Sequence, residues 1–95
     1  MRNSNFLRYE IKIYGRVQGV GFRFATVRVA QSLGVVGFVR NEEDGSVFIV
    51  AEGEKDKLEK LLSWCWQGPF LAKVENVEKK EAPPSGEFDD FSIKY

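Results

Sequence analysis

Between Leu7 and Tyr14 the chain alternates residue by residue: Leu7, Tyr9, Ile11 and Ile13 are apolar, with Arg8, Glu10, Lys12 and Tyr14 between them. That period of two predicts a strand with one face in the core and one in water. From Phe22 the period lengthens. Phe22, Thr26, Val29, Ala30 and Leu33 fall at helical spacing, and Gly34 supplies the stop. Val27 and Val29 are weak helix formers, so this helix depends on packing its apolar stripe. The run "VVGFVRN" predicts a second strand, "EEDG" a turn and "SVFIVAEG" the returning strand. Asp44 followed by Gly45 is a good hairpin signal, because glycine takes a positive φ cheaply. After Gly53, the stripe Leu58, Leu61, Leu62 and Cys65 predicts a second helix, ended by Gly68 and Pro69. "FLAKVENVEKK" predicts a fourth strand. Its Val74 and Val77 are three apart, out of step with strand alternation, so a bulge or bend is expected there. "APPSGE" reads as a loop and "FSIKY" as a short last strand through Phe91, Ile93 and Tyr95.

The predicted order is βαββαβ plus a short C-terminal strand. Right-handed crossovers put both helices on one face of a single, mainly antiparallel sheet. This is an α+β fold, the ferredoxin-like split βαβ sandwich, with the first and third strands adjacent in mid-sheet and the second flanking the third. Such a fold hosts many functions and settles none.

Composition narrows the chemistry. Ninety-five residues suffice for one domain, 1–95, in which residues 1–6 are expected to be a flexible N-terminal extension. Fourteen basic and fourteen acidic residues cancel, so no global field attracts nucleic acid or a membrane surface, and any anion site must be local. No segment has the length of a secretory leader core or a membrane span. A single cysteine, Cys65, forbids an internal disulfide and fits a reducing cytoplasm. With no histidine, a zinc site has almost no ligands left, and an imidazole base or a Ser-His-Asp triad is impossible. We expect no metal and no cofactor.

The stretch "GRVQGVGFR", Gly15 to Arg23, concentrates glycine directly after the first strand. One reading is a loop that turns. The other is a loop whose amides face an anion: leaving a strand and entering a helix, it aims unpaired N–H groups at one point, reinforced by the helix dipole. Glycines at 15, 19 and 21 let the backbone curl into such a nest. Arg23, in the first helical turn, opposes that dipole, and a bound tetrahedral oxyanion gripped by two guanidinium N–H groups would explain it. The G-K-[ST] ending of a nucleotide P-loop is missing. Asn41, at the end of the second strand, reads either as a turn residue or as an amide able to hold a water, if the fold brings it beside the loop. Glu42, Glu43 and Asp44 read as a solvated turn, Trp64 and Trp66 as helix packing, Cys65 as buried and inert, and Lys79 and Lys80 as a solvated strand end.

"GRVQGVGFR", "FRFATVRVAQSLG", "VVGFVRNEEDGSV", "GPFLAKVENVE" and "FSIKY" together resemble the acylphosphatase family, over almost the whole chain. The pairing of G-x-V-Q-G-V-x-F-R with N-x-x-D-G-x-V about twenty residues later is highly specific. The resemblance implies a monomeric, metal-free, cytoplasmic enzyme that hydrolyses small acyl phosphates to a carboxylate and phosphate, with inorganic phosphate or sulfate as inhibitor. It implies Arg23 and Asn41 as catalytic residues and Val17, Gln18, Gly19, Val20, Gly21, Phe22 and Arg23 as the phosphate cradle. Two positions depart from the family pattern: Phe38 stands where tryptophan is common, and Gly21 where many members have a bulkier residue. The alternative is a non-catalytic anion- or RNA-binding module of the same fold. RNA-recognition domains share the strand order, but their aromatic G-F-V motif belongs on the third strand and here lies on the second.

Overall fold

The computed structural model describes residues 5–95. Of the expected N-terminal extension, residues 1–4 lie outside the described residues. The elements are β1 (Phe6–Arg16), α1 (Phe22–Leu33), β2 (Val36–Asn41), β3 (Val47–Glu54), α2 (Lys55–Gln67), β4 (Lys73–Ala82) and β5 (Phe91–Ile93). Phe6 already belongs to β1, and the Asn5 carbonyl accepts from the Lys55 N–H at 3.0 Å. The strands form one sheet in the order β4-β1-β3-β2-β5. All neighbours are antiparallel except β2 and β5. This is the ferredoxin-like arrangement with a parallel edge strand added.

Alternation along β1 puts Tyr9, Ile11 and Ile13 wholly inside. There they join Val47, Ile49 and Ala51 of β3, Phe22 and Ala30 of α1, and Leu58, Leu61 and Cys65 of α2 in one apolar cluster. A single shared cluster means that both helices cover the same face. Burying each large side chain contributes about 1.5–3 kcal/mol, which offsets the poor helix propensity of the valines in α1. Two polar groups in this core are satisfied locally. Thr26 Oγ1 donates to the Phe22 carbonyl at 2.8 Å, and the Tyr9 hydroxyl donates to Glu59 of α2. Burial and the Glu59 carboxylate together push the Tyr9 phenol above its ordinary range. No described helix is long and apolar enough to cross a membrane.

The expected irregularity between Val74 and Val77 is a β-bulge. Tyr14 pairs with Asn76 but Gly15 pairs with Val74, so Glu75 is the extra residue on β4. The insertion restores the phase, and both valines pack against the core. Gly15 has φ +125°, and a Cβ there would lie 2.2 Å from the Lys73 carbonyl oxygen and 2.8 Å from the Glu75 nitrogen. Only glycine fits opposite this bulge.

Several local expectations need correction. β4 begins at Lys73, because Phe70 and Leu71 lie in a turn closed by the Ala72 N–H on the Pro69 carbonyl at 3.0 Å. Phe70 is 99% exposed. β5 ends at Ile93, short of Tyr95. Trp64 packs on Phe22 with ring centroids 5.3 Å apart, but Trp66 points outward and is exposed. Lys79 is more than a solvated strand end: it pairs with Glu81 and lies over the Tyr9 ring. Cys65 is buried as expected, and that burial pushes its thiol up to about 12, so it stays unreactive.

On the far face of β3, Glu52 is 1% exposed. Its carboxylate accepts from Arg8 Nη1 at 3.1 Å, from the Ser85 N–H and Oγ at 2.8 Å each, and from the Gly86 N–H at 3.1 Å. These bonds tie the β4–β5 loop to the sheet and deliver β5 to the edge of β2.

Candidate active site

Residues 17–21 connect β1 to α1. Val17 is buried and Val20 packs against the core, so the two valines anchor the loop. Gly19 and Gly21, on either side of Val20, take φ values of 74° and 80°. A Cβ on either would meet nothing within 4 Å, so the requirement for glycine is torsional and the space above them is open. Among the described residues, no backbone carbonyl accepts from the N–H groups of Gln18, Gly19, Val20 or Gly21. Gly21 is the N-cap of α1 and brings no side-chain cap, and the first turn holds no acidic residue. That turn holds Arg23 instead. None of the five ion pairs among the described residues involves Arg23. Its guanidinium lies 5.3 Å from the centroid of the Tyr95 ring, just beyond β5.

Sheet register brings Asn41 to this loop. Ile13, near the end of β1, pairs with Val47 of β3, and Val47 pairs with Asn41 of β2. The three residues lie abreast. Asn41 therefore stands beside the place where β1 turns into the loop, although β1 and β2 never touch in the ladder. A cleft of about 80 Å³ is lined by Val17, Gly19, Gly21, Phe22, Arg23, Phe24 and Asn41. Asn41 Oδ1 is buried and has no hydrogen-bond partner, the one such side-chain atom among the described residues.

The turn after Asn41 is well braced. Asp44 Oδ1 accepts from the Ser46 hydroxyl at 2.6 Å and N–H at 2.9 Å, and Oδ2 pairs with Lys12 Nζ at 3.0 Å. These contacts, the serine first, hold the Asp44 carboxyl down at about 2. Glu42 pairs with Arg40 at 2.6 Å. Of the three acidic residues expected in a solvated turn, Glu43 and Asp44 are exposed as expected, though Asp44 also braces the turn, while Glu42 is half-buried against Arg40.

Of the residues implicated by sequence, Val17, Gly19, Gly21, Phe22, Arg23 and Asn41 line the cleft. Gln18 and Val20 do not. The Gln18 side chain turns away, and its Nε2 donates to the carbonyls of Glu42 at 2.8 Å and Ser46 at 2.9 Å. Phe24 lines the cleft unforeseen: it lies off the apolar stripe of α1 and is 64% exposed, so periodicity gave no hint of it. Among the described residues, no three His, Cys, Asp or Glu side chains are gathered as metal ligands would be. The cleft offers free N–H groups and a guanidinium to an anion, and the Asn41 side chain forms part of its wall.

The acylphosphatase family model matches residues 9–93. The chain is 48% identical over 89 residues to an acylphosphatase from Pasteurella multocida, covering 94% of this chain and 99% of that one. It is 52% identical over 86 residues to an acylphosphatase from Thermotoga maritima, covering 90% and 94%. Its structure is similar to the crystal structure of acylphosphatase from Bacillus subtilis, with a TM-score of 0.90, 36% identity, and coverage of 94% and 99%.

Proposed function

The chain belongs to the acylphosphatase family, and from that premise we propose how this cleft hydrolyses an acyl phosphate. The phosphoryl oxygens lie in the loop at residues 17–22, held by backbone N–H groups at the positive end of α1 and by the planar fork of Arg23. Asn41 Oδ1 accepts a hydrogen bond from a water and aims it at phosphorus, opposite the acyl oxygen. The new phosphorus–oxygen bond forms as the bond to the acyl oxygen breaks. The carboxylate leaves with the electron pair, and a phosphoryl oxygen of the substrate takes the water's proton. A carboxylate is a good leaving group, so little general-acid help is needed, which suits a site without imidazole. Positioning and charge stabilisation then carry the catalysis.

The observation that carries this reading is that Asn41, whose Oδ1 has no donor in the protein, lines the same cleft as Arg23 and the glycines. A side-chain acceptor without a protein donor beside an anion-binding loop supports the assignment of the water to Asn41. The test is Asn41→Ala assayed on acetyl phosphate. Loss of one well-placed polar group typically lowers the rate by about 10²–10³, and it should fall on kcat with KM and phosphate inhibition little changed. A folded Asn41→Ala protein with near-native kcat would remove this residue from the mechanism. We further propose that the enzyme works as a monomer in the cytoplasm. Sedimentation of the purified protein tests the first point, and fractionation of its cells the second.

A further inference from the structure

We infer that Gln18 acts through its side chain as a positioning residue: its carboxamide fastens the phosphate loop to the turn that carries Asn41, and does not touch the phosphoryl group. The inference rests on the roles proposed above for the loop and for Asn41. Both amide hydrogens of Gln18 are committed to that turn, one to the Glu42 carbonyl at 2.8 Å and one to the Ser46 carbonyl at 2.9 Å. Neither acceptor is a casual one. The Ser46 carbonyl also accepts from the Glu42 N–H at 2.9 Å, and the Glu42 carbonyl from the Gly45 N–H at 3.1 Å, so Gln18 closes a network across the turn. Glu42 follows Asn41 directly in the chain.

The loop and the turn come from elements that share no ladder, since β3 lies between β1 and β2. Backbone pairing sets the Asn41 Cα through Val47. It does not set the distance from the Asn41 amide to an anion in the loop. A glutamine bridging the two does so directly, and a misplacement of about 1 Å at a reacting centre is enough to lower a rate roughly 10²-fold. Glutamine suits this bridge chemically, because two adjacent carbonyl acceptors need a side chain with two N–H donors and no charge.

The test compares Gln18→Ala and Gln18→Glu with the parent on acetyl phosphate, with inorganic phosphate as inhibitor. In Gln18→Ala, kcat falls about 10–100-fold while KM and the phosphate inhibition constant stay within about twofold. Gln18→Glu keeps the shape but sets a carboxylate against two carbonyl oxygens, which disfavours its charged form and raises its pKa. Once protonated it donates again to one of them. Its kcat relative to the parent therefore recovers in part as pH falls from 7 to 5, whereas that of Gln18→Ala stays flat. A structural role alone would give no such pH profile. In both variants the side-chain amide resonance of Asn41 shifts at pH 7, a readout independent of turnover. A parent protein inert toward acetyl phosphate would overturn the proposed function while leaving this coupling to be judged from the spectrum. An unchanged kcat, equal losses of kcat and phosphate affinity, a flat profile for Gln18→Glu, or an unmoved Asn41 resonance would overturn the inference.

Discussion

Replacing Glu52 with glutamine exchanges one oxygen for an NH2 group in a buried side chain surrounded by donors. Oε2 accepts three hydrogen bonds, from Arg8 Nη1 and from the Ser85 N–H and Oγ, and Oε1 accepts one, from the Gly86 N–H. The amide settles with its nitrogen toward Gly86, the orientation that sets donor against donor only once. One buried donor left unpaired costs about 1–3 kcal/mol, and the remaining bonds lose the charge that roughly doubles their strength. Together these give an expected loss of about 2–4 kcal/mol, large against a stability of about 5–15 kcal/mol for a domain. Urea denaturation followed by tryptophan fluorescence measures it. The pH dependence adds a sharper check. Burial alone would raise the Glu52 carboxyl, but the Ser85, Gly86 and Arg8 hydrogen bonds outweigh it and hold the folded-state value below the ordinary 4.5. A lowered folded value means that its stabilisation is present above the unfolded value and is lost as pH falls through the folded one. The gap between parent and Glu52→Gln should therefore be full at pH 6–7, narrow below about pH 4.5 and be least under strong acid. A loss under about 1 kcal/mol, or a gap constant from pH 7 to pH 3, would refute this account.

Other expectations follow from single features. Gly15→Ala should destabilise by at least about 2 kcal/mol, since strained φ and overpacking each cost about 1–3; its urea midpoint reports this, and a near-native midpoint would count against the bulge contact. Inorganic phosphate at a hundredfold excess over its Kd should stabilise by roughly 2.7 kcal/mol, seen as a rise in Tm that Arg23→Lys largely abolishes. Arg23→Lys should also depress both phosphate binding and turnover, because the ammonium lacks the planar fork; equal kinetics in the two proteins would argue against a bidentate grip. Treatment with EDTA should leave kcat on acetyl phosphate unaltered, and a loss restored by a divalent ion would contradict a cradle of amides and arginine.

What the sequence disclosed follows what is local. The alternation of Tyr9, Ile11 and Ile13, the stripe of α1 and the three-residue step from Val74 to Val77 each lie within one segment, and each element appears where expected. Phe70 and Leu71 misled because apolar residues before a strand look like the strand itself, and the bond closing their turn is invisible in a pattern. Nothing in the neighbourhood of Glu52 marks it as buried; it is covered because β3 is central and the β4–β5 loop folds over it. In the cleft, Arg23 and the glycines could be read from their own neighbourhood. The proximity of Asn41 could not, because it arises from the register of Ile13, Val47 and Asn41 across three strands. The Gln18 side chain is a similar case: its partners lie far along the chain, and its motif position suggested the phosphate instead.

The place of β1 bears on how the chain reaches this state. It is the earliest strand, and Ile11 ends up between Ile49 on one side and Lys79 on the other. Neither neighbour is near in sequence, so loop-closure entropy opposes both pairings before any contact rewards them, which slows folding. During synthesis, which proceeds from the N-terminus, β1 waits with both edges unpaired and Tyr9, Ile11 and Ile13 uncovered until most of the chain exists. An apolar, β-branched strand in that condition is prone to pair with a second copy. The charges at Arg8, Glu10 and Lys12 that alternate with its apolar residues act as gatekeepers in that interval. The polar half of the pattern thus guards the nascent chain until β3 and β4 arrive to close both edges.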